Sequence, residues 1–212
     1  DKKALVDLGD FRSVIYRHSE DAELRIDLDW VQADPLVVND PKGRGEQVVQ
    51  DKRLGFSTHV KGENGTGGKS LQLTVPSIEY RIGDIAFGMH RKGDSRKNYE
   101  LFNSATEFQF VRSQGRAWPL PAPVKCYGFP DQVRAYYQNA GFLSDFELAF
   151  EEQLRRIYYL GPLRAYPERR YTWAGGQPSD MGQAGEQAVH AILSSRDRGE
   201  KISKGRGKDR AT

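Results

Sequence analysis

The sequence contains very little cysteine, since Cys126 is the only one in 212 residues. An intrachain disulfide is therefore impossible, and a cysteine-rich zinc site is excluded. The chain also lacks any run of about 18 consecutive apolar residues, the length that a membrane-spanning helix needs. Its N-terminal region has no apolar stretch typical of a signal peptide. We therefore expect a cytoplasmic protein with no membrane partner.

The composition is polar but compatible with a folded core. Charged residues make up 29% of the chain and the mean hydropathy is −0.71, yet aromatic residues reach 11%, too many for a wholly disordered chain. A length of 212 residues suffices for one good-sized domain or two small ones. The first residue is Asp1 rather than methionine, so we expect that upstream sequence is missing.

The net charge of +3 arises at one end of the chain. Residues 196–212 carry seven Lys or Arg against three Asp or Glu, whereas the remainder carries 25 basic and 26 acidic residues. Because this segment is also poor in apolar residues, its composition predicts a basic flexible tail. Two roles stay open for it, a solvated connector or an arm that contacts nucleic acid.

Alternating apolar and polar residues predict antiparallel strands in the first two thirds of the chain. In residues 24–28, Leu and Ile alternate with charged residues, as in a strand with one solvated face. Short runs rich in β-branched and aromatic residues predict further strands at 11–17, 54–60, 71–75, 78–82, 108–111 and 124–127. The polar segments 34–50 and 92–98 are typical of long connecting loops.

The pattern changes near Pro130, after which helices are predicted. Asp131 can cap a helix through about Ala140, and Ser144 with Glu147 forms a capping box for the next helix. Apolar residues that recur there at helical spacing predict a face that packs on the sheet: Leu143, Phe146, Phe150 and Leu154. The side chains of Glu151 and Glu152 are expected to contact Arg155 and Arg156.

The last third predicts one more strand and one more helix. Residues 157–160 form a short apolar run, typical of a buried strand end, before Gly161 and Pro162. Asp180 can cap a final helix, with an apolar side formed by Ala184, Ala188, Ala191 and Ile192. The order predicts an α+β fold, with a β-rich part at 1–130, a helical part at 131–195 that includes a strand at 157–160, and the tail at 196–212.

A glycine-rich string resembles a phosphate-binding loop, but its register does not fit. Its residues are Gly62-Glu63-Asn64-Gly65-Thr66-Gly67-Gly68-Lys69-Ser70. A phosphate loop needs four residues between its first Gly and the final Gly-Lys-Ser, and that register places Glu63 at the first position. The loop must also open a helix, whereas 71–75 alternates and Pro76 follows. We therefore predict a hairpin turn, with phosphate binding by Gly68, Lys69 and Ser70 in a non-standard register as the weaker alternative.

Other catalytic signatures are absent from the sequence. The four histidines are scattered without metal-ligand spacing, and there is no Gly-x-Ser-x-Gly nucleophile elbow. No catalytic residue and no metal ligand is predicted. Arg164 follows a Gly-Pro turn, where a guanidinium can face a phosphate or a carboxylate. The alternative is an arginine held by a neighbouring acid or stacked on Tyr166.

Two motifs give the chain a resemblance to a known family. The first is Tyr159-Leu160-Gly161-Pro162-Leu163-Arg164-Ala165-Tyr166-Pro167-Glu168-Arg169, followed by Gly182-Gln183-Ala184-Gly185-Glu186, and the second is Leu5-Val6-Asp7-Leu8-Gly9-Asp10-Phe11. Together they resemble AAA-type ATPases of the ABC/SMC/RecF-like group of P-loop NTPases. The resemblance covers most of residues 4–193.

The resemblance implies that this chain is an internal or truncated piece of an ATPase head. In that family the phosphate loop lies upstream of the Leu5–Phe11 motif, and the signature motif and Walker B strand lie downstream of the Gly182–Glu186 helix, so ATP and Mg²⁺ would be bound in the parent chain and not by this chain alone. The resemblance places Gly161, Pro162 and Arg164 near a loop that senses the nucleotide, usually through a Gln that this chain lacks.

The resemblance also implies partners for the parent protein. They are the remainder of the ATPase head and a second head across a sandwiched ATP, with nucleic acid as a further candidate, in DNA maintenance or phage defence. The competing function is a non-enzymatic β-rich binding module whose basic tail contacts nucleic acid. Neither function follows from composition alone.

Overall fold

A computed structural model of the chain describes residues 10–15, 23–40, 47–64, 71–93, 95–115, 118–157, 165–172, 175–178, 181–182 and 184–199. These residues belong to two compact units, Asp1–Leu154 and Arg155–Thr212. The predicted basic tail at 196–212 lies almost wholly outside the described residues. Among the described residues, no helix has the length and apolar content needed to cross a membrane.

The first unit is built on an antiparallel sheet. Within the described residues the sheet has five strands in sequence order, each paired with the next: β1 (Glu23–Asn39), β2 (Gln47–Asn64), β3 (Leu71–Ile82), β4 (Ile85–Arg91) and β5 (Tyr99–Asn103). Every connection is thus a hairpin, as expected when each strand follows the last through a short loop. The predicted α+β class is confirmed.

The long strands carry irregularities where the sequence departs from alternation. The pairing of β1 with β2 is regular from Glu23 to Val31 and then shifts before Leu36. A second shift lies between His59 and Lys61, opposite Pro76 in β3. Because Pro cannot donate a ladder hydrogen bond, a bulge is where a strand tolerates it. The two strands predicted at 71–75 and 78–82 are therefore one strand.

Helices cover one face of the sheet. α2 (Asp131–Tyr136) and α3 (Leu143–Arg155) follow the strands, and α3 buries Leu143, Phe146 and Phe150 as predicted. The aromatic rings of α3 meet those of the sheet, with centroids 5.6 Å apart for Phe146 and Tyr80 and 4.4 Å apart for Phe150 and Phe56. Such pairs add to the energy of apolar burial. Leu154, at the end of the predicted face, stays 39% exposed.

A buried asparagine, Asn139, makes hydrogen bonds to the backbone of the irregular segment that follows β5. Asn139 is only 2% exposed, and its Oδ1 accepts from the Val111 amide at 2.9 Å while its Nδ2 donates to the Gln109 carbonyl at 2.8 Å. These bonds satisfy backbone groups that no strand ladder satisfies. The strand predicted at 108–111 is therefore wrong, because a side chain replaces the strand partner.

Three other predicted elements differ in the structure. Residues Phe11–Val14 form a short helix, α1, capped by the Asp10 carboxylate that accepts from Ser13 N at 2.8 Å, so the strand predicted at 11–17 is wrong there. Residues 124–127 form a tight turn in which Val124 and Gly128 pair and Lys125 has φ 57°. The predicted loop at 34–50 is mostly strand, because β1 continues to Asn39 and β2 starts at Gln47.

The predicted helix caps also need correction. α2 ends at Tyr136 rather than near Ala140, and its N-cap is Pro130 while the Asp131 carboxylate binds Arg134 at 2.7 Å. The Ser144–Glu147 capping box does not form. Ser144 accepts from Arg134 at 2.6 Å, and the Glu147 carboxylate accepts from the Phe129 amide. For Ser144 and Glu147 a more distant partner displaces the local one, whereas Asp131 pairs with Arg134 of its own helix.

The second unit contains one described helix, α4 (Ala188–Asp197). It begins after Gln187 and leaves Ile192 61% exposed, so the predicted apolar side is not buried there, and Asp180 lies outside the described residues. His190 Nε2 lies 3.2 Å from the Thr172 carbonyl. The strand predicted at 157–160 lies outside the described residues except for Ile157, which is exposed and not in a strand.

Candidate functional site

The face of the sheet opposite α3 is polar and forms the candidate site. Since neighbouring strands place paired residues side by side, its side chains form three cross-strand rows. These rows are Asp29–Gly55–Arg81–Ala86, Asp27–Ser57–Glu79–Gly88–Phe102 and Arg25–His59–Ser77–His90–Glu100. We call this surface the polar face. Acidic and basic groups on it are interspersed rather than separated.

An ion pair crosses the middle of the first row. Asp29 on β1 and Arg81 on β3 both pair with Gly55 on β2, and the Asp29 Oδ1 to Arg81 Nη2 distance is 2.7 Å. A Cβ atom at Gly55 would lie 2.5 Å from Asp29 Oδ1 and 2.7 Å from Arg81 Nη2. The glycine therefore makes room for two side chains from strands that are not neighbours. The hydrogen bond to Asp29 raises the pKa of Arg81.

The ion pair borders a cleft of about 320 Å³ near the β3–β4 turn. Its lining includes Asp29, Val31, Arg53, Gly55, Arg81 and Gly83. The Arg53 guanidinium binds the Asp51 carboxylate at 2.9 Å, and Gly83 has φ 56°, which lets the turn close beside that carboxylate. Each guanidinium at the cleft thus has a carboxylate partner.

Arg53 of the cleft lining stabilises the neighbouring Asp51 carboxylate as its anion. Hydrogen bonds from Arg53 lower the pKa of Asp51, so this carboxylate stays ionised. A carboxylate stabilised as its anion is a poor proton donor and a poor base near neutral pH. Arginine does not deprotonate under these conditions. The cleft therefore offers charged hydrogen-bonding groups, the Asp29 carboxylate and the guanidinium groups of Arg53 and Arg81.

The far end of the polar face is organised around a second glycine. The Phe102 ring on β5 lies over Gly88 of β4. The centroids of the Phe102 and His90 rings are 5.5 Å apart. His90 Nε2 is 3.2 Å from Glu100, which also binds Lys92 at 2.8 Å. The Lys92 hydrogen bond is the main cause that lowers the pKa of Glu100. Here too the charges are paired.

Carboxylates with raised pKa values lie elsewhere, on α3. Burial raises the pKa of Glu147, whose carboxylate accepts from the Phe129 amide, and burial also raises the pKa of Asp145. The neighbouring Glu151 accepts from the Tyr127 hydroxyl at 2.8 Å. Glu147 and Glu151 therefore bind residues of the 124–129 segment to α3 through hydrogen bonds, which gives both carboxylates a structural role. The predicted contacts of Glu151 and Glu152 with the following arginines stay a prediction.

The residues predicted near a nucleotide or a phosphate lie in parts of the chain that the structure does not describe. Gly161, Pro162 and Arg164 lie outside the described residues, and so do Gly68, Lys69 and Ser70. The strands around the last three do pair antiparallel, with Asn64 opposite Leu71. The prediction that a strand follows the glycine-rich string is confirmed, and this differs from the helix that a phosphate loop requires.

Candidate metal ligands are dispersed over the described residues. Among them, no group of three or more His, Cys, Asp or Glu side chains could hold a metal ion. Two of the four histidines, His59 and His90, lie on the polar face beside single carboxylates, at 4.0 Å from Glu23 and 3.2 Å from Glu100. One carboxylate and one imidazole are too few ligands for a structural metal site.

Sequence reasoning missed the Asp29–Gly55–Arg81 row. The usable signal was Gly55 itself, since an isolated glycine inside a strand pattern indicates a bulge or a close approach of other groups. The pairing register is set by strands far apart in sequence, so the partners of the glycine could not be named from the sequence.

Comparisons with known proteins were made at three levels. No protein-family model matches the chain, no curated protein matches it, and no solved structure matches it. The polar face and its cleft therefore have to be interpreted from their own geometry.

Proposed function

We propose that this chain is a piece of an ABC/SMC-like ATPase head, comprising an antiparallel lobe and the helices that follow it. The observation that carries the proposal is the order of elements. A sheet of consecutive hairpins, β1 to β5, is followed by α2 and α3 on one of its faces. The family-like motif at 159–169 comes directly after these helices. This order is the one that the resemblance implies.

In this proposal the chain has a supporting role in ATP hydrolysis. ATP and Mg²⁺ belong to segments of the parent that carry the phosphate loop and the acidic strand, which supply charge stabilisation and a positioned water. No step of hydrolysis is assigned to the described residues. Arg164 is the residue of this chain proposed to lie nearest the nucleotide, because its guanidinium suits a phosphate oxygen.

The partners of the proposal follow from the same assignment. The chain packs with the remainder of its head, and two heads enclose ATP between them, in DNA maintenance or phage defence. The polar face supports a protein partner more than a nucleic acid, because its arginines are paired with carboxylates, as Arg81 is with Asp29 and Arg25 with Asp27 at 2.7 Å. Nucleic-acid binding requires cations that stay available for phosphates. Binding by the tail at 196–212 stays a prediction.

The proposal is tested by extending the chain into its own reading frame. A phosphate loop encoded upstream and an acidic apolar strand encoded downstream are expected, and the extended protein should hydrolyse ATP in the presence of Mg²⁺. The matched variants are Arg164→Ala, expected to lower turnover, and Lys69→Ala, expected to leave it unchanged. A reading frame without these motifs, together with salt-dependent nucleic-acid binding that is lost on deleting 200–212, would instead establish the binding module.

A further inference from the structure

β1 forms one edge of the sheet. The strand order begins at β1, and within the described residues no strand pairs with its outer side. The segment Glu23–Val31 keeps one regular register with β2 over nine residues, up to the shift that precedes Leu36. A regular edge presents a row of unpaired backbone N–H and C=O groups, which can pair with another extended chain. We call Glu23–Val31 the β1 edge.

Apolar side chains of the β1 edge are left partly uncovered. Ile26 and Leu28 lie on the face that the helices cover, yet they are 36% and 37% exposed. Their direct neighbours on β2 are buried, with Thr58 opposite Ile26 at 0% and Phe56 opposite Leu28 at 1%. The apolar layer of this sheet face therefore extends past the point where the helices cover it. One more strand beside β1 would complete it.

The opposite side of the β1 edge carries excess negative charge. Three of its side chains, Glu23, Asp27 and Asp29, are acidic, against a single cation, Arg25. Each carboxylate has a cationic partner, at 3.3 Å for Glu23 with Lys61 and at 2.7 Å for Asp27 with Arg25. The Asp27 side chain is still 42% exposed, so its carboxylate can accept a further hydrogen bond. The Asp29 carboxylate is 76% exposed although it binds Arg81. Exposed edges are commonly protected by charged side chains, especially lysine, by proline or by a bulge. The segment 23–31 has no lysine, proline or bulge, and three of its four charged side chains are acidic. Cross-strand pairing favours opposite charges on directly neighbouring strands.

We propose that the β1 edge binds an extended protein segment in which apolar residues alternate with Lys or Arg, adding a strand to the sheet. The apolar residues of that segment cover Ile26 and Leu28, and its cations face Asp27 and Asp29. Main-chain hydrogen bonds supply affinity, and the alternating side chains supply specificity. This inference does not depend on ATP hydrolysis by the parent protein.

The test uses synthetic fluorescent peptides of about nine residues, the length of the edge. One alternates Val with Lys and the matched peptide alternates Val with Glu. Fluorescence anisotropy measures the Kd of each peptide. We expect the Kd of the Val/Lys peptide to be at least about tenfold lower than that of the Val/Glu peptide. Amide hydrogen exchange should show new protection confined to 23–31. Equal binding of both peptides, or protection elsewhere, would overturn the proposal.

Variants identify the surface. The double variant Ile26→Lys and Leu28→Lys should weaken Val/Lys binding about tenfold or more, whereas Leu148→Lys, at a residue 62% exposed on α3, should not. Asp27→Lys should reverse the preference towards the Val/Glu peptide, which keeps the test valid if the double variant fails to fold. Unchanged binding by Asp27→Lys would contradict the proposal. So would a dimer that protects 23–31 without peptide, because the edge would then bind a second copy.

Discussion

The Asp29 carboxylate and the Arg81 guanidinium lie on strands that are not neighbours, yet their nearest atoms are 2.7 Å apart. Gly55, on the strand between them, has no side chain to separate them. The ion pair therefore links β1 to β3 across β2, at the border of the cleft. It also leaves the Asp29 carboxylate exposed at the edge of the sheet, where another chain can reach it.

This ion pair should contribute little to stability by itself. A double-mutant cycle with Asp29→Asn and Arg81→Gln is expected to give a coupling free energy of about 0.2–1 kcal/mol, the usual range for exposed pairs. The coupling should fall in roughly 1 M salt, because salt screens exposed charges. Urea unfolding of the four proteins measures it. A coupling that is unchanged by salt would mean that the pair is more shielded from solvent than the structure shows.

Two glycines of the polar face should respond differently to alanine. A Cβ at Gly88 would collide with the Ile78 carbonyl of the backbone and with the Phe102 ring, so Gly88→Ala should lower the free energy of unfolding by about 1–3 kcal/mol. At Gly55 the obstacles are the ends of the Asp29 and Arg81 side chains, which can move, so Gly55→Ala should cost less than about 1 kcal/mol.

The control for both is Gly141→Ala, where an added Cβ meets nothing within 4 Å. Thermal and urea unfolding of the three variants should rank Gly88→Ala as the least stable. A Gly55→Ala variant as unstable as Gly88→Ala would show that β2 and its neighbours are packed more closely than described.

Loss of the Asn139 side chain should destabilise the first unit. Asn139→Ala leaves the Val111 amide without an acceptor and the Gln109 carbonyl without a donor, at a residue 2% exposed. Unsatisfied buried polar groups cost about 1–3 kcal/mol. The neighbouring Gln138→Ala, whose exposed side chain donates to the Arg112 carbonyl at 3.2 Å, is the matched control and should cost less. Equal losses of unfolding free energy would assign no special role to Asn139.

Glu147 should make stability depend on pH. Burial raises its pKa in the folded protein above the ordinary value of 4.5. The folded state therefore binds the proton more tightly than the unfolded state, and stability is lost as the pH rises from the unfolded pKa through the folded one. Glu147→Gln cannot titrate. The unfolding free energy of the wild type minus that of Glu147→Gln should thus decrease between about pH 4 and pH 7.

Urea unfolding at several pH values checks this prediction. Gln138→Ala, which removes no titratable group, should keep the pH profile of the wild type. A difference between the wild type and Glu147→Gln that stays constant or grows with pH would mean that the hydrogen bond from Phe129 outweighs the effect of burial.

The fold was predictable where local pattern and tertiary packing agree. The alternation at 24–28 and the helical spacing of Leu143, Phe146 and Phe150 both appear in the structure, because each pattern places its apolar residues on one face of the strand or helix. The predictions failed where a distant group supplies the partner. At 108–111 a buried asparagine replaces a strand, and β4 and β5 were not predicted at all.

The candidate site was less predictable than the fold. Nothing in the local sequence links Asp29 to Arg81, which are 52 residues apart. Their proximity depends on two pairing registers and on Gly55, and a register is set by the whole buried face rather than by local propensity. The residues that sequence did single out, such as Lys69 and Arg164, lie outside the described parts of the chain.

The most direct test of the account is ATP turnover by the protein that the complete reading frame encodes, compared with residues 1–212 alone. The account predicts Mg²⁺-dependent hydrolysis by the complete protein, reduced by Arg164→Ala and unchanged by Lys69→Ala, and no hydrolysis by residues 1–212. Hydrolysis by residues 1–212 that Lys69→Ala abolishes, or a complete protein that neither binds nor hydrolyses ATP, would contradict it.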